Sequence, residues 1–135
     1  MLNVKKRRVL RKTSPQTIAC NLADFGFSLI TVYEVRNHLF LNMIDPPAPL
    51  FKPPLFLASL DFIEKHISKR KVIIHCNLGL SRAPSIALLY LAKRAKVING
   101  ESYVEAAKDF VQIFPLYKPS RGIVLYLSIK WPELQ

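Results

Sequence analysis

Two side chains in the sequence stand where they can act on one anion. Cys76 ends the apolar run Val72, Ile73, Ile74, His75, and Arg82 follows after five intervening residues, just before Pro84 and a longer apolar run. Contiguous β-branched residues predict a strand, expected to be buried on both faces of a helix-covered sheet. Pro84 suits the first turn of a helix, where its missing N–H is not needed. Between strand and helix, Gly79 permits a tight turn whose N–H groups face inward, a concavity that binds anions at the positive end of the helix dipole. Those N–H groups, the helix start and the Arg82 guanidinium all favour the thiolate form of Cys76, the form that attacks. A phosphoryl group resting on the same amides would present two oxygens to the planar fork of Arg82, with sulfur in line behind phosphorus. Nucleophile and anion cradle are then one object.

The remaining elements must hold that object in place. Ser14 and Pro15 read as N-cap and first turn of a helix reaching about Phe25, with Ile18, Ala19, Leu22 and Ala23 on its apolar face, Cys20 on or near it, and Gly26 as the stop. Phe27 to Val35 and His38 to Ile44 read as two strands joined tightly at Arg36 and Asn37. Asp45 to Pro54 carries five prolines in ten residues and is a stiffened loop. Leu55 to Ser68 is helical, with Leu57, Leu60, Ile63 and Ile67 toward the core and Asp61 on the surface. Ser85 to Lys96 is a helix packed on most sides. Ser102 and Glu105 form a capping box opening a helix that ends near Phe114, and a last helix runs from about Ser120 to Trp131. His38 and His66 lack partners at metal-ligand spacing and are read as structural or exposed. No metal or other cofactor is implied.

A length of 135 residues, half of them apolar, is one folded domain. With Cys76 given to chemistry, two cysteines make no disulfide framework. The charged N-terminus has no signal-peptide pattern and no apolar run is long enough to span a bilayer, so a cytoplasmic setting is expected, or a nuclear one in a eukaryote. Of the net charge of +11, six come from Lys5, Lys6, Arg7, Arg8, Arg11 and Lys12. Residues 1–12 are either a basic arm, open to polyanions including nucleic acid, or an edge strand guarded by its charges.

The signature His75-Cys76, five residues, Arg82, with Gly79 third after the cysteine and Ser81 before the arginine, resembles the loop of the cysteine-dependent protein tyrosine phosphatases, most closely the dual-specificity branch. The resemblance runs from about Ser14 to the C-terminus, so residues 13–135 are expected to be a single phosphatase-like domain. It implies an α/β fold with a small mixed central sheet flanked by helices. It further implies that Cys76 is the nucleophile, Arg82 the phosphate-binding and transition-state-stabilising residue, and Asp45 the general acid, about thirty residues before the cysteine. The backbone of Asn77, Leu78, Gly79, Leu80 and Ser81 would hold the phosphate, and His75 would orient the loop. The implied activity is hydrolysis of phosphotyrosine and of phosphoserine or phosphothreonine in proteins through a cysteinyl-phosphate. Two alternatives stay open: an RNA 5′-phosphatase or triphosphatase of the same superfamily, and a weakly active phosphate-binding pseudophosphatase. The family usually has serine or threonine directly after the arginine, where this chain has Ala83. The loop carries no lysine, which disfavours inositol-lipid substrates, and no counterpart of the tyrosine-containing loop of phosphotyrosine-only enzymes is evident, which implies a shallow site.

Overall fold

The computed structural model describes residues 2–6 and 32–135. The helix expected over Pro15–Phe25, Cys20, the start of the first hairpin strand and residues 7–12 lie outside the described residues. Among those described, β1 (Leu2–Lys6) pairs in parallel with β4 (Val72–Cys76), in a register that sets Lys6 opposite Cys76. β2 (Val32–Val35) and β3 (His38–Leu41) form an antiparallel hairpin. Its two-residue turn places Arg36 at φ 53°, in the left-handed region. Four helices follow or separate the strands: α1 (Pro53–Ile67), α2 (Arg82–Lys93), α3 (Tyr103–Ile113) and α4 (Arg121–Lys130), with a short 3-10 turn at Trp131–Glu133. This is the expected α/β architecture, a short sheet packed with helices. No helix among the described residues is long and apolar enough to cross a membrane.

α2 is the centre of the packing. Every residue from Ala83 to Tyr90 is buried, with Leu88 and Leu89 fully enclosed. Burying each of those leucines stabilises the fold by about 1.5–3 kcal/mol. Phe51, Phe56 and Tyr126 form an aromatic cluster, with ring centroids 5.0–5.9 Å apart, that ties the end of the proline loop and α1 to α4. Trp131 caps the other end, accepting a cation–π contact from Lys93 at 4.7 Å and donating its indole N–H to Gly100 O.

The structure departs from the sequence reading in several places, among them the end of β3 at Leu41 instead of Ile44. α1 begins at Pro53, two residues early, because Pro53 and Pro54 occupy its first turn, where no N–H is required. α2 begins at Arg82 and ends at Lys93, so Pro84 is its third residue. β4 is buried on one face only: Val72 is enclosed while Ile73 is 53 % exposed, because among the described residues the helices pack on the other side of the strand. The capping box holds as read, with Glu105 N donating to Ser102 Oγ at 3.2 Å. His66 is buried, its ring 4.5 Å from that of Phe62, whereas His38 is exposed.

Candidate active site

β4 delivers Cys76 to the end of the sheet and the chain turns at once into a loop closed by α2. Gly79 has φ 71°, a value that L side chains rarely adopt, and this turn aims its N–H back at the cysteine, donating to Cys76 Sγ at 3.2 Å. The sulfur therefore sits inside the arc of the loop. Ser81 occupies the N-cap position of α2 and makes no side-chain cap bond. Its Oγ instead accepts from Ser120 N at 2.9 Å, and its carbonyl takes Ser85 N at 3.0 Å. Pro84 has no N–H, so Arg82 and Ala83 supply the N–H groups at the uncapped helix start.

Arg82, first residue of α2, points its side chain toward the segment after β3. Nη1 donates to Met43 O at 2.7 Å, which fixes the plane of the guanidinium. Nε is buried without a hydrogen-bond partner. It stands 3.8 Å from Asp45 Oδ2, the Asp45 side chain being 26 % exposed. Gly79 is thus brought onto Cys76, and Asp45, at the entrance of the proline loop, onto Arg82 at the helix start, the two pairs linked by the loop of residues 77–81. Asp61, by contrast, lies on the outer face of α1, ion-paired to Arg94 at 2.9 Å. Leu78 projects from the loop, 63 % exposed, and His75 lies on the exposed side of β4.

Beneath the loop runs a buried chain of hydroxyls that the sequence reading did not anticipate. Ser85 Oγ donates to Ser81 O at 2.7 Å and is 2.9 Å from Tyr117 OH, which is 3.0 Å from Tyr103 OH. Ser85 has one hydrogen and gives it to the Ser81 carbonyl. Tyr117 must then donate to Ser85, and Tyr103 to Tyr117, so the chain of donors runs one way from α3 to the residue before Arg82. Burial, helped by the neighbouring Tyr103, pushes the Tyr117 phenol well above its ordinary range; burial also raises Tyr103. Two further ties reach the loop from the segment before α4: Lys118 N donates to Leu80 O at 2.8 Å, beside the Ser120 bond to Ser81. The position of Tyr117 between Pro115 and Pro119 is the only local hint of a fixed segment there.

A cavity of about 770 Å³ opens between the hairpin, α1 and β4 and reaches Cys76, Asn77, Arg82 and Ala83. Asp45 and Gly79 are not among its lining residues. Among the described residues no group of three or more histidine, cysteine or acidic side chains is placed to hold a metal ion.

No protein-family model matches the chain. Over 66 residues, 48 % of this chain, it is 38 % identical to the dual specificity protein phosphatase YVH1 of Plasmodium falciparum (isolate 3D7). The match covers 11 % of that protein's length. The chain is therefore similar, over about half of itself, to a protein named as a dual-specificity phosphatase.

Proposed function

We propose that this chain is a cysteine-dependent phosphatase that hydrolyses phosphotyrosine and phosphoserine or phosphothreonine in proteins. The observation that carries the reading is the Cys76 sulfur held inside its own loop by the Gly79 N–H, in a loop closed by Arg82, whose Nε makes no hydrogen bond and faces Asp45 at 3.8 Å. An oxyanion on the loop would meet the N–H groups at the start of α2 and the Nε edge of a guanidinium already fixed through Nη1 by Met43 O. In the first step a lone pair of the Cys76 thiolate forms the S–P bond as the bond from phosphorus to the leaving oxygen breaks, and protonated Asp45 gives that oxygen its proton. In the second, water attacks phosphorus, Asp45 takes its proton, and the S–P electrons return to sulfur, releasing inorganic phosphate. His75 orients the loop, and the backbone of residues 77–81 positions the transferring group. The 38 % identity over 66 residues to a protein named as a dual-specificity phosphatase supports protein substrates, as does the exposed Leu78 on a loop without lysine.

The test is turnover of p-nitrophenyl phosphate, abolished in Cys76→Ser, followed by rates on phosphotyrosyl and phosphothreonyl peptides and on a 5′-triphosphorylated RNA. Turnover of both peptides ahead of RNA is expected. Faster release from RNA would move the assignment to nucleic acid, with Lys5, Lys6, Arg7, Arg8, Arg11 and Lys12 as its phosphate contacts. No turnover at all, with tungstate still bound, would make the chain a phosphate-binding module.

A further inference from the structure

Gly122, second residue of α4, lies against the main chain of the proline loop. A Cβ at this position would stand 2.1 Å from Pro46 O and 2.5 Å from Ala48 O. Both are backbone oxygens, which cannot swing aside as a side chain can. Glycine is a poor helix former, so its presence one residue inside a helix is explained by this close approach and not by local preference.

The two partners in the contact differ in freedom to move. The start of α4 is tied to the nucleophile loop through Ser120 N to Ser81 Oγ at 2.9 Å and Lys118 N to Leu80 O at 2.8 Å. Behind it Ile123 and Leu127 are completely buried. On the other side, residues 44, 45, 47, 49 and 50 are exposed, so the proline loop yields first. Pro46 and Pro47 fix two successive φ angles, and the residue before a proline is itself restricted. A push at Pro46 O therefore passes to Asp45, one residue away, instead of being absorbed.

We propose that Gly122 is the positioning residue for Asp45: by having no side chain it lets the acid loop seat on the same helical turn that braces the Cys76–Arg82 loop, and so sets the carboxyl's place relative to the reacting phosphorus. The proposal rests on the reading of Asp45 as general acid. Gly122→Ala forces the loop outward by roughly an ångström, and a misplacement of that size costs on the order of 100-fold in a step that needs the displaced group.

The experiment compares wild type, Gly122→Ala, Asp45→Asn and the double variant on phenyl phosphate and on p-nitrophenyl phosphate, with tungstate affinity as the check that the nucleophile loop is intact. Expected is a 10- to 100-fold loss for Gly122→Ala on phenyl phosphate, about threefold or less on the activated ester, unchanged tungstate binding, and no further loss when the alanine is added to Asp45→Asn. Equal losses on both esters, or an additive loss in the double variant, overturn the positioning role while leaving Asp45 as acid. Absence of leaving-group selectivity in Asp45→Asn itself removes the acid, and this proposal with it. If Gly122→Ala does not fold, Ala48→Gly loosens the same seat without adding bulk: a selective loss of threefold or more on phenyl phosphate, absent in the Asp45→Asn background, supports the proposal, and no such loss overturns it.

Discussion

Ala83→Ser should speed the second half of the reaction and leave the first half alone. When water attacks the cysteinyl-phosphate, sulfur must depart as thiolate, and each hydrogen bond to it lowers that barrier. The structure gives the sulfur one donor among the described residues, Gly79 N at 3.2 Å. Of the two serines nearest in sequence, Ser85 Oγ gives its hydrogen to Ser81 O at 2.7 Å, while Ser81 Oγ is turned to Ser120 N, from which it accepts at 2.9 Å. Position 83 is buried in the first turn of α2, yet it lines the cavity that reaches Cys76, so one added oxygen has room. A hydrogen bond to a charged group contributes about 1.5–3 kcal/mol. At 1.36 kcal/mol per factor of ten, dephosphorylation should accelerate by about tenfold to 150-fold. In a rapid-mixing assay with an activated aryl phosphate, the wild type should release a burst of phenol equal to the enzyme present and then turn over slowly. The variant should keep the burst rate and raise the steady rate by that factor. A wild type without a burst, together with an unchanged steady rate in Ala83→Ser, would refute the reasoning and place the sulfur's missing donor elsewhere in the site.

Iodoacetate near neutral pH should alkylate Cys76 far faster than Cys20, with protection by phosphate, as peptide mapping of the labelled chain would show; equal labelling would remove the activated-nucleophile reading. Arg82→Lys should lower kcat severely despite the kept charge, since an ammonium reproduces neither the bond to Met43 O in its present plane nor a two-donor grip. Tyr117→Phe removes the acceptor of the buried Tyr103 hydroxyl and the donor to Ser85 Oγ, and should cost about 1–3 kcal/mol in urea unfolding at pH 8. Its pH dependence has a definite sign: a phenol whose folded value is raised stabilises fully below the unfolded value of about 10 and loses that contribution as pH climbs toward the folded one. The wild type should therefore lose stability faster than the variant above about pH 10, narrowing the gap between them, and a constant gap would contradict the assignment. Deleting residues 1–6 removes the ladder partner of β4 and should lower the unfolding midpoint as well as any affinity for polyanions.

The nucleophile loop was legible because its information is local. β-branched Val72 to Ile74, Gly79 and Pro84 each constrain their own backbone, and together they dictate strand, turn and helix without help from the rest of the chain. The capping of α3 by Ser102 was legible for the same reason. Burial was less so: three β-branched residues cannot reveal whether a neighbouring element covers their second face, and Ile73 is exposed where an enclosed strand was expected. Asp45 came from resemblance and not from its surroundings, since nothing within the proline loop tells which strand end will face it. The structure sets it 3.8 Å from the Arg82 guanidinium.

What the sequence concealed is the brace formed by residues 117–122, and the reason is physical. Ser120 meets Ser81 across 39 positions and Tyr117 meets Ser85 across 32. A single hydroxyl or amide in such a contact carries no periodicity and no composition bias. Read alone, Tyr117 is an aromatic in a proline-rich turn and Gly122 a defect near the start of a helix. Each gains its proposed role only once residues 117–120 are tied to the start of α2, because those ties set the first turn of α4 against two loops distant from each other in sequence. The loop with the nucleophile is stiffened by its own glycine geometry and by hydroxyls beneath it, the loop with the carboxyl by its prolines. Two stiff loops resting on one helical turn keep a fixed separation, and if Cys76 and Asp45 act as proposed, a fixed separation between sulfur and carboxyl is what an in-line displacement with a departing alkoxide requires. Chemistry that the signature motif would make available is, on this proposal, aligned by a contact one hydrogen atom wide.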